Sequence, residues 1–145
     1  MASANLELVR STFATWERGD FNSAEWAHPD IECVFPDGPS PGRWNGLPGM
    51  AEGWRGVIDA WEGFRYEAED YRELDDERVL VLTRFSGRGK TSGLELGQMS
   101  TKGASVHHVR GGKVTRNVFY FDRNRALADL GLARESDSPS TERSQ

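Results

Sequence analysis

Residues 105–121 read SVHHVRGGKVTRNVFYF, and this stretch decides the fold. Gly111-Gly112 is a two-residue hairpin signal, because a tight turn that matches strand twist needs positive φ at both central positions. The flanking residues are then two antiparallel strands, expected over Leu94–Val109 with a kink at Gly103, and over Lys113–Phe121. Counting back from the turn puts residues 105, 107 and 109 on one face. On the second strand Thr115, Asn117, Phe119 and Phe121 share a face, opposite Arg116, Val118 and Tyr120. A slip of one residue would exchange His107 for His108.

Upstream, Val79 to Phe85 is apolar on both faces and reads as a central strand. Phe64, Tyr66 and Ala68 alternate with Arg65, Glu67 and Glu69, the period of a half-solvated strand, and Asp75-Asp76 supplies the turn between them. Gly87, Gly89 and Gly93 are expected to bend the crossing that follows. Leu6, Val9, Phe13 and Trp16 recur at helical steps. Met50, Trp54, Val57, Ile58 and Trp61 predict a second long helix that opens near Pro48 and closes at Gly63. Between them, Asn22 and Glu25 suggest a capped short helix as far as His28, followed by a short strand from Ile31 to Phe35. The stretch PDGPSPGRWNG, residues 36–46, reads as an irregular loop. Asp122 should cap a short last helix that Gly131 stops, and residues 133–145 are polar enough to be a disordered tail. Helices on one face of a curved antiparallel sheet make an α+β cone, and the gap between them is expected to be one deep apolar pocket.

The net charge of -5 speaks against nucleic acid, whose phosphates need a basic face. No apolar run approaches a membrane span. One cysteine, Cys33, cannot form an internal disulfide, and the start does not read as a leader, so a cytoplasmic protein is expected. Three features are set aside. Gly89-Lys90-Thr91 lacks the upstream glycine of a phosphate loop, adjacent His107 and His108 face opposite sides and cannot share a metal, and Cys33 has no basic neighbour to activate it. No metal or organic cofactor is implied.

Several strings resemble SnoaL-like proteins of the nuclear-transport-factor-2-like superfamily, over residues 5–132. They are ERGD at 17–20, HPDIECVFP at 28–36, RVLVLTRFSGRGKTSGLEL at 78–96, VRGGKV at 109–114 and YFDRNRALADLGL at 120–132. The resemblance implies the cone, with residues 115, 117, 119 and 121 on its concave side. It also implies a homodimer formed through the outer face, where His108, Arg116, Val118 and Tyr120 would lie. The superfamily includes cyclases, isomerases, dehydratases, hydrolases and non-catalytic modules, and a shared fold does not transmit a reaction.

Asp37 stands nine residues before Gly46, an offset similar to that of the general-base aspartate of the ketosteroid isomerases. Asp37-Gly38 is equally good turn chemistry. His107 would be the second acid/base candidate and Asn117 the group that orients a carbonyl, with a plain polar lining as the alternative. Trp16, Phe35, Trp44, Phe119 and Phe121 would line the site, Trp44 as a lid over it. The oxyanion donors of the isomerases fall near Thr12 and near Ala104 or Ser105, which argues against steroid isomerisation. The expected function is binding of a small apolar or polycyclic molecule with acid/base chemistry of the cyclase, isomerase or dehydratase kind. The rivals are a non-catalytic binding or dimerisation module and a protein-interaction scaffold.

Overall fold

The structure, a computed structural model, describes residues 3–20, 25–37, 41–59, 61–89 and 98–132. Helix α1 (Ala4–Glu17) starts where the Ser3 side chain accepts from the Leu6 N–H, and it buries Val9, Thr12, Phe13 and Trp16. The expected short second helix is not present among the described residues. Trp26 lies in a turn, and strand β1 (Ala27–Phe35) begins directly after it. Pro29 is tolerated in β1 because pairing to the neighbouring strand skips between Ala27 and Glu32, so its missing N–H breaks no ladder bond. The capping positions around Asn22 lie outside the described residues.

Part of the expected loop is a strand. β2 (Gly42–Asn45) pairs antiparallel with β1, setting Trp44 opposite Cys33. Helix α2 (Gly46–Ile58) ends sooner than its periodicity suggests, because Trp61 already belongs to β3 (Trp61–Glu73) and pairs with β4 (Arg78–Gly89). Backbone pairing to a long neighbour outweighs the helical spacing of one tryptophan. β5 (Gln98–Arg110), β6 (Lys113–Tyr120) and α3 (Arg123–Asp129) complete the chain. The hairpin between β5 and β6 turns on Gly111 and Gly112, at φ of 61° and 79°. Asp122 caps α3 by accepting from the N–H groups of Asn124 and Arg125. Residues 90–96 of the 78–96 string, Gly93 among them, and the tail from residue 133 lie outside the described residues.

The six strands run β2-β1-β6-β5-β4-β3. The meander β3 to β6 is antiparallel as expected, while β1 joins β6 in parallel and makes the sheet mixed. Register shifts in β3 near residues 62–65 and 68–70 bend the sheet. No kink interrupts pairing at Gly103, which stays opposite Thr83. The glycine is needed for a different reason. A Cβ there would stand 2.4 Å from the Tyr120 carbonyl oxygen and 2.5 Å from the Phe85 ring.

Both sheet faces carry apolar cores. On the concave side, Val9, Phe13 and Trp16 of α1 and Met50, Trp54 and Val57 of α2 meet Ile31, Cys33, Phe35, Tyr66, Val79, Val81, Phe85 and Phe119. On the outer side, Leu80, Leu82, Ala104, Val106, Val118 and Tyr120 pack with Ala126 and Leu127 of α3. Arg123 fastens α3 there. Its buried guanidinium donates to the carbonyls of Gly103 (3.0 Å) and Thr83 (2.7 Å) and pairs with Glu69 at 2.6 Å.

Candidate functional site

The concave face places an uncharged polar line among aromatic rings. His107 is opposite Asn117 in the β5–β6 ladder, and both are wholly buried. His107 Nδ1 lies 2.8 Å from Asn117 Oδ1, and Nε2 lies 2.8 Å from the Ser105 hydroxyl. A carbonyl oxygen only accepts, so Nδ1 carries the proton and Nε2 accepts from Ser105. Burial pulls the His107 pKa down to about 4, partly offset by the bond to Asn117, so the ring is neutral at physiological pH.

Tyr66 extends the line toward β4. Burial raises its pKa, against the opposing pull of the nearby Ser105 and Thr83 hydroxyls. Even so, the Tyr66 and Thr83 hydroxyls and the Asn117 amide nitrogen are all buried and complete no hydrogen bond of good geometry. Neither Ser105 nor Tyr66 was singled out from sequence as a site residue. The signal for Ser105 was the two-residue step to His107, and for Tyr66 the strand alternation that turns it inward.

The expected lining residues are distributed as follows. Trp16, Phe35 and Phe119 are buried in the concave core, with Phe35 and Phe119 stacked at 5.4 Å and the Trp16 ring tilted against Phe119 at 5.8 Å. Phe121 is half-buried and stacks on Phe85 at 4.2 Å. Trp44 is the edge-strand residue packed on Phe35 at 5.5 Å and on Gly53 of α2, rather than a loop residue. These rings touch one another across the space where the sequence suggests a hollow. The opening beside them is a cleft of about 250 Å³ between Trp16, Gly19, Phe64 and Tyr66, with Glu17, Arg18, Arg65 and Glu67 at its rim.

Asp37 stands apart from His107. Its Oδ1 accepts from the Phe121 N–H at 2.6 Å, while Oδ2 is buried without a hydrogen-bond partner. Phe121 is four residues along from Asn117, which is roughly 13 Å at the rise of a strand. The structure therefore joins His107 to Asn117 and leaves Asp37 at the far end of β6. Thr12 bonds the Leu8 carbonyl within its own helix, at 2.9 Å, and offers no donor to the interior.

Burial raises the Cys33 thiol to about 12, which leaves it a protonated core residue. Among the described residues no three His, Cys, Asp or Glu side chains gather as a metal site, and no helix is long and apolar enough to cross a membrane.

The neutral His107 has a measurable consequence. The unfolded chain takes up a proton near the ordinary value of 6.5, whereas the folded chain resists until about 4. Between these limits the unfolded state binds more protons, so stability falls as pH drops through the window and levels off below it. The loss attributable to this group is about 3 kcal/mol. Urea unfolding across that range should show a steeper pH dependence than the same series on His107→Gln. Equal slopes would show that the imidazole is not buried neutral.

Comparison with known proteins agrees with the architecture. A family model described as a SnoaL-like domain matches residues 9–117. Among solved structures, an NTF2-like protein of unknown function from Burkholderia pseudomallei superposes with a TM-score of 0.72 at 20% identity, covering 88% of this chain and 97% of its own. TerC, co-crystallised with polyporic acid, gives 0.67 at 24% identity, covering 90% of this chain and 98% of its own. A protein of ketosteroid isomerase-like fold from Catenulispora acidiphila, in complex with trimethylamine, gives 0.62 at 18% identity, covering 88% and 94%. No curated protein matches. Identities this low carry the fold and not a ligand, whereas the family model covers most of the chain: the protein belongs to the SnoaL-like domain family.

Proposed function

We propose that this chain binds a small apolar or polycyclic molecule against the concave face, with the Ser105–His107–Asn117 line as its polar contact. One observation carries the reading. Buried donors, above all the Asn117 amide nitrogen, lack a full set of hydrogen-bond partners within a ring-lined interior, where the Tyr66 hydroxyl has only the Ser105 and Thr83 hydroxyls beside it. Each such group costs about 1–3 kcal/mol when unpaired, a cost that a ligand oxygen accepting from it would remove. Solved relatives of the same fold were crystallised with polyporic acid and with trimethylamine, which is compatible with small-molecule binding.

Proton-transfer chemistry of the cyclase, isomerase or dehydratase kind would then centre on His107. The ring is neutral, and its Nε2 can take a proton delivered through Ser105. Asp37 does not share that site, because its carboxylate is tied to the backbone of Phe121. That bond favours a second reading, a binding module without catalysis, in which Asp37 is only a clasp between the ends of β1 and β6.

A thermal-shift screen of polyketide, steroid and terpenoid fragments tests the proposal, repeated on Asp37→Asn, His107→Ala and Asn117→Ala. Binders should raise the melting temperature of the parent and of Asp37→Asn, and lose effect in Asn117→Ala. Turnover that disappears in His107→Ala but survives in Asp37→Asn supports catalysis by the imidazole. Turnover unchanged in both leaves only the binding module, and a parent without binders removes the small-molecule reading altogether.

A further inference from the structure

Trp44, Asn45 and Gly46 form the junction between the edge strand β2 and helix α2. Asn45 is exposed, ends β2 and is also the N-cap of α2. An N-cap side chain ordinarily accepts from the N–H of the second or third helical residue. Here the third is Pro48, which has no N–H, and the Asn45 side chain makes no cap hydrogen bond. Its amide is therefore not held by the helix it precedes.

The next residue, Gly46, has φ of 76°. Without a Cβ, its backbone nitrogen can be approached closely. The position also has room, since a Cβ built there would come no nearer than 3.6 Å to the surrounding chain. Turning Asn45 from its ψ of 143°, so that this nitrogen faces the side-chain carbon, moves only the end of a four-residue edge strand. No other asparagine precedes glycine: Asn5, Asn22, Asn117 and Asn124 precede Leu6, Ser23, Val118 and Arg125. Asn5 and Asn124 lie in helices, Asn5 also donates to the Asp76 carbonyl at 2.8 Å, and Asn117 is wholly buried.

We infer that Asn45 is a site of spontaneous deamidation, with the Gly46 nitrogen as nucleophile and water as co-reactant. The Gly46 N–H gives its proton to solvent base, and the nitrogen bonds to Cγ of Asn45 as the bond from Cγ to Nδ2 breaks. Ammonia leaves after taking a proton from solvent, and a five-membered succinimide remains. Water then breaks one of the two ring bonds to that nitrogen. Cleavage at Cγ gives aspartate with the original backbone. Cleavage at the main-chain carbonyl carbon routes the chain through the side chain, one methylene longer. Either way one water is consumed, one ammonia is released, and a carboxylate is added to a chain of net charge -5.

The two products differ in their effect on the fold. The aspartate lies at the start of α2, which has no acidic residue in its first turn, so its charge suits the helix dipole even though Glu32 is its cross-strand neighbour. The longer product displaces β2 against α2, and with it Trp44, whose ring packs on Phe35 at 5.5 Å. The site is independent of the interior reading.

The test holds the folded chain at physiological temperature and about pH 8.5, and follows a gain of about one dalton by mass spectrometry of its fragments. An isoaspartyl methyltransferase with labelled methyl donor marks the longer product. Residue 45 should react about tenfold or more faster than Asn5 or Asn124, because only its neighbour lacks a Cβ. Its rate should rise with pH, since the nitrogen must lose its proton, and should lie within about tenfold of the rate in urea. Asn45→Gln should abolish the gain at this position. Pro48→Ala restores the missing N–H and should slow the reaction several-fold. The isoaspartyl form, separated by ion exchange, should melt below Asn45→Asp. Reaction at residue 45 no faster than at Asn5 overturns the inference. So does a folded rate more than about tenfold below that in urea, which would show that the fold holds the junction shut. An unchanged rate in Pro48→Ala overturns the part given to the missing cap.

Discussion

Gly103→Ala is expected to destabilise the protein by about 3 kcal/mol or more, at the upper end for an overpacking substitution. The added Cβ would lie 2.4 Å from a backbone oxygen of Tyr120 and 2.5 Å from Cε2 of Phe85. The oxygen belongs to the neighbouring strand and can retreat only by opening the β5–β6 ladder. The Phe85 ring is pinned between Tyr66, at 4.5 Å, and Phe121, at 4.2 Å. The backbone of Gly103 also accepts from Arg123, so a shift of β5 loosens the anchor of α3. Chemical denaturation checks this directly, and a loss below about 1 kcal/mol would show that the strand yields more easily than its contacts imply. Gly111→Ala is the control, because its hypothetical Cβ meets no atom within 4 Å and only its φ of 61° is unfavourable.

The second large effect is expected at Trp16. This ring is 3% exposed and meets Trp26 at 5.4 Å, Trp54 at 5.7 Å, and Tyr66 and Phe119 at 5.8 Å each, so it joins α1 to α2 and shares with Phe13 the contact of α1 with the sheet. Truncation to alanine removes the ring and leaves a void among rings that cannot all collapse inward, at a cost of about 3–5 kcal/mol. Trp16 also walls the cleft beside Tyr66, so the void should connect with that opening. Indole added to Trp16→Ala should restore part of the lost melting temperature, and should do little to the parent chain. Destabilisation without rescue would mean that the interior closes over the missing ring and holds no latent space. A loss of only about 1 kcal/mol would contradict the packing itself.

These two positions illustrate different degrees of legibility. Trp16 lies on a helical stripe, and periodicity alone turns it inward. Gly103 was visible as an unusual residue in a strand, but a kink was the natural reading, and the real cause is an aromatic ring from β4 lying over it. That ring is eighteen residues away in sequence, and nothing local announces its approach. The same distinction explains α2. The spacing of Trp54, Val57, Ile58 and Trp61 is helical, yet Trp61 pairs with Gly89 in the sheet. The Pro/Gly run before Trp44 concealed an edge strand, because β2 exists only through its pairing with β1.

At the candidate site, Gly111-Gly112 marked the turn between the two strands, whereas a one-residue register shift between His108 and Val109 is what brings His107 opposite Asn117. Local chain geometry fixes the turn and the alternation along each strand, but not which residue of β6 faces His107. The α+β order and the cap at Asp122 were determined in the same way, by short-range sterics and hydrogen bonding. Only the tertiary structure decided that Ser105 completes the pair, that the Tyr66 and Thr83 hydroxyls are buried without a hydrogen bond of good geometry, and that Asp37 is held at the other end of β6. Those relations depend on how far strands distant in sequence slide and bend against one another, and that is settled by packing summed over the whole sheet.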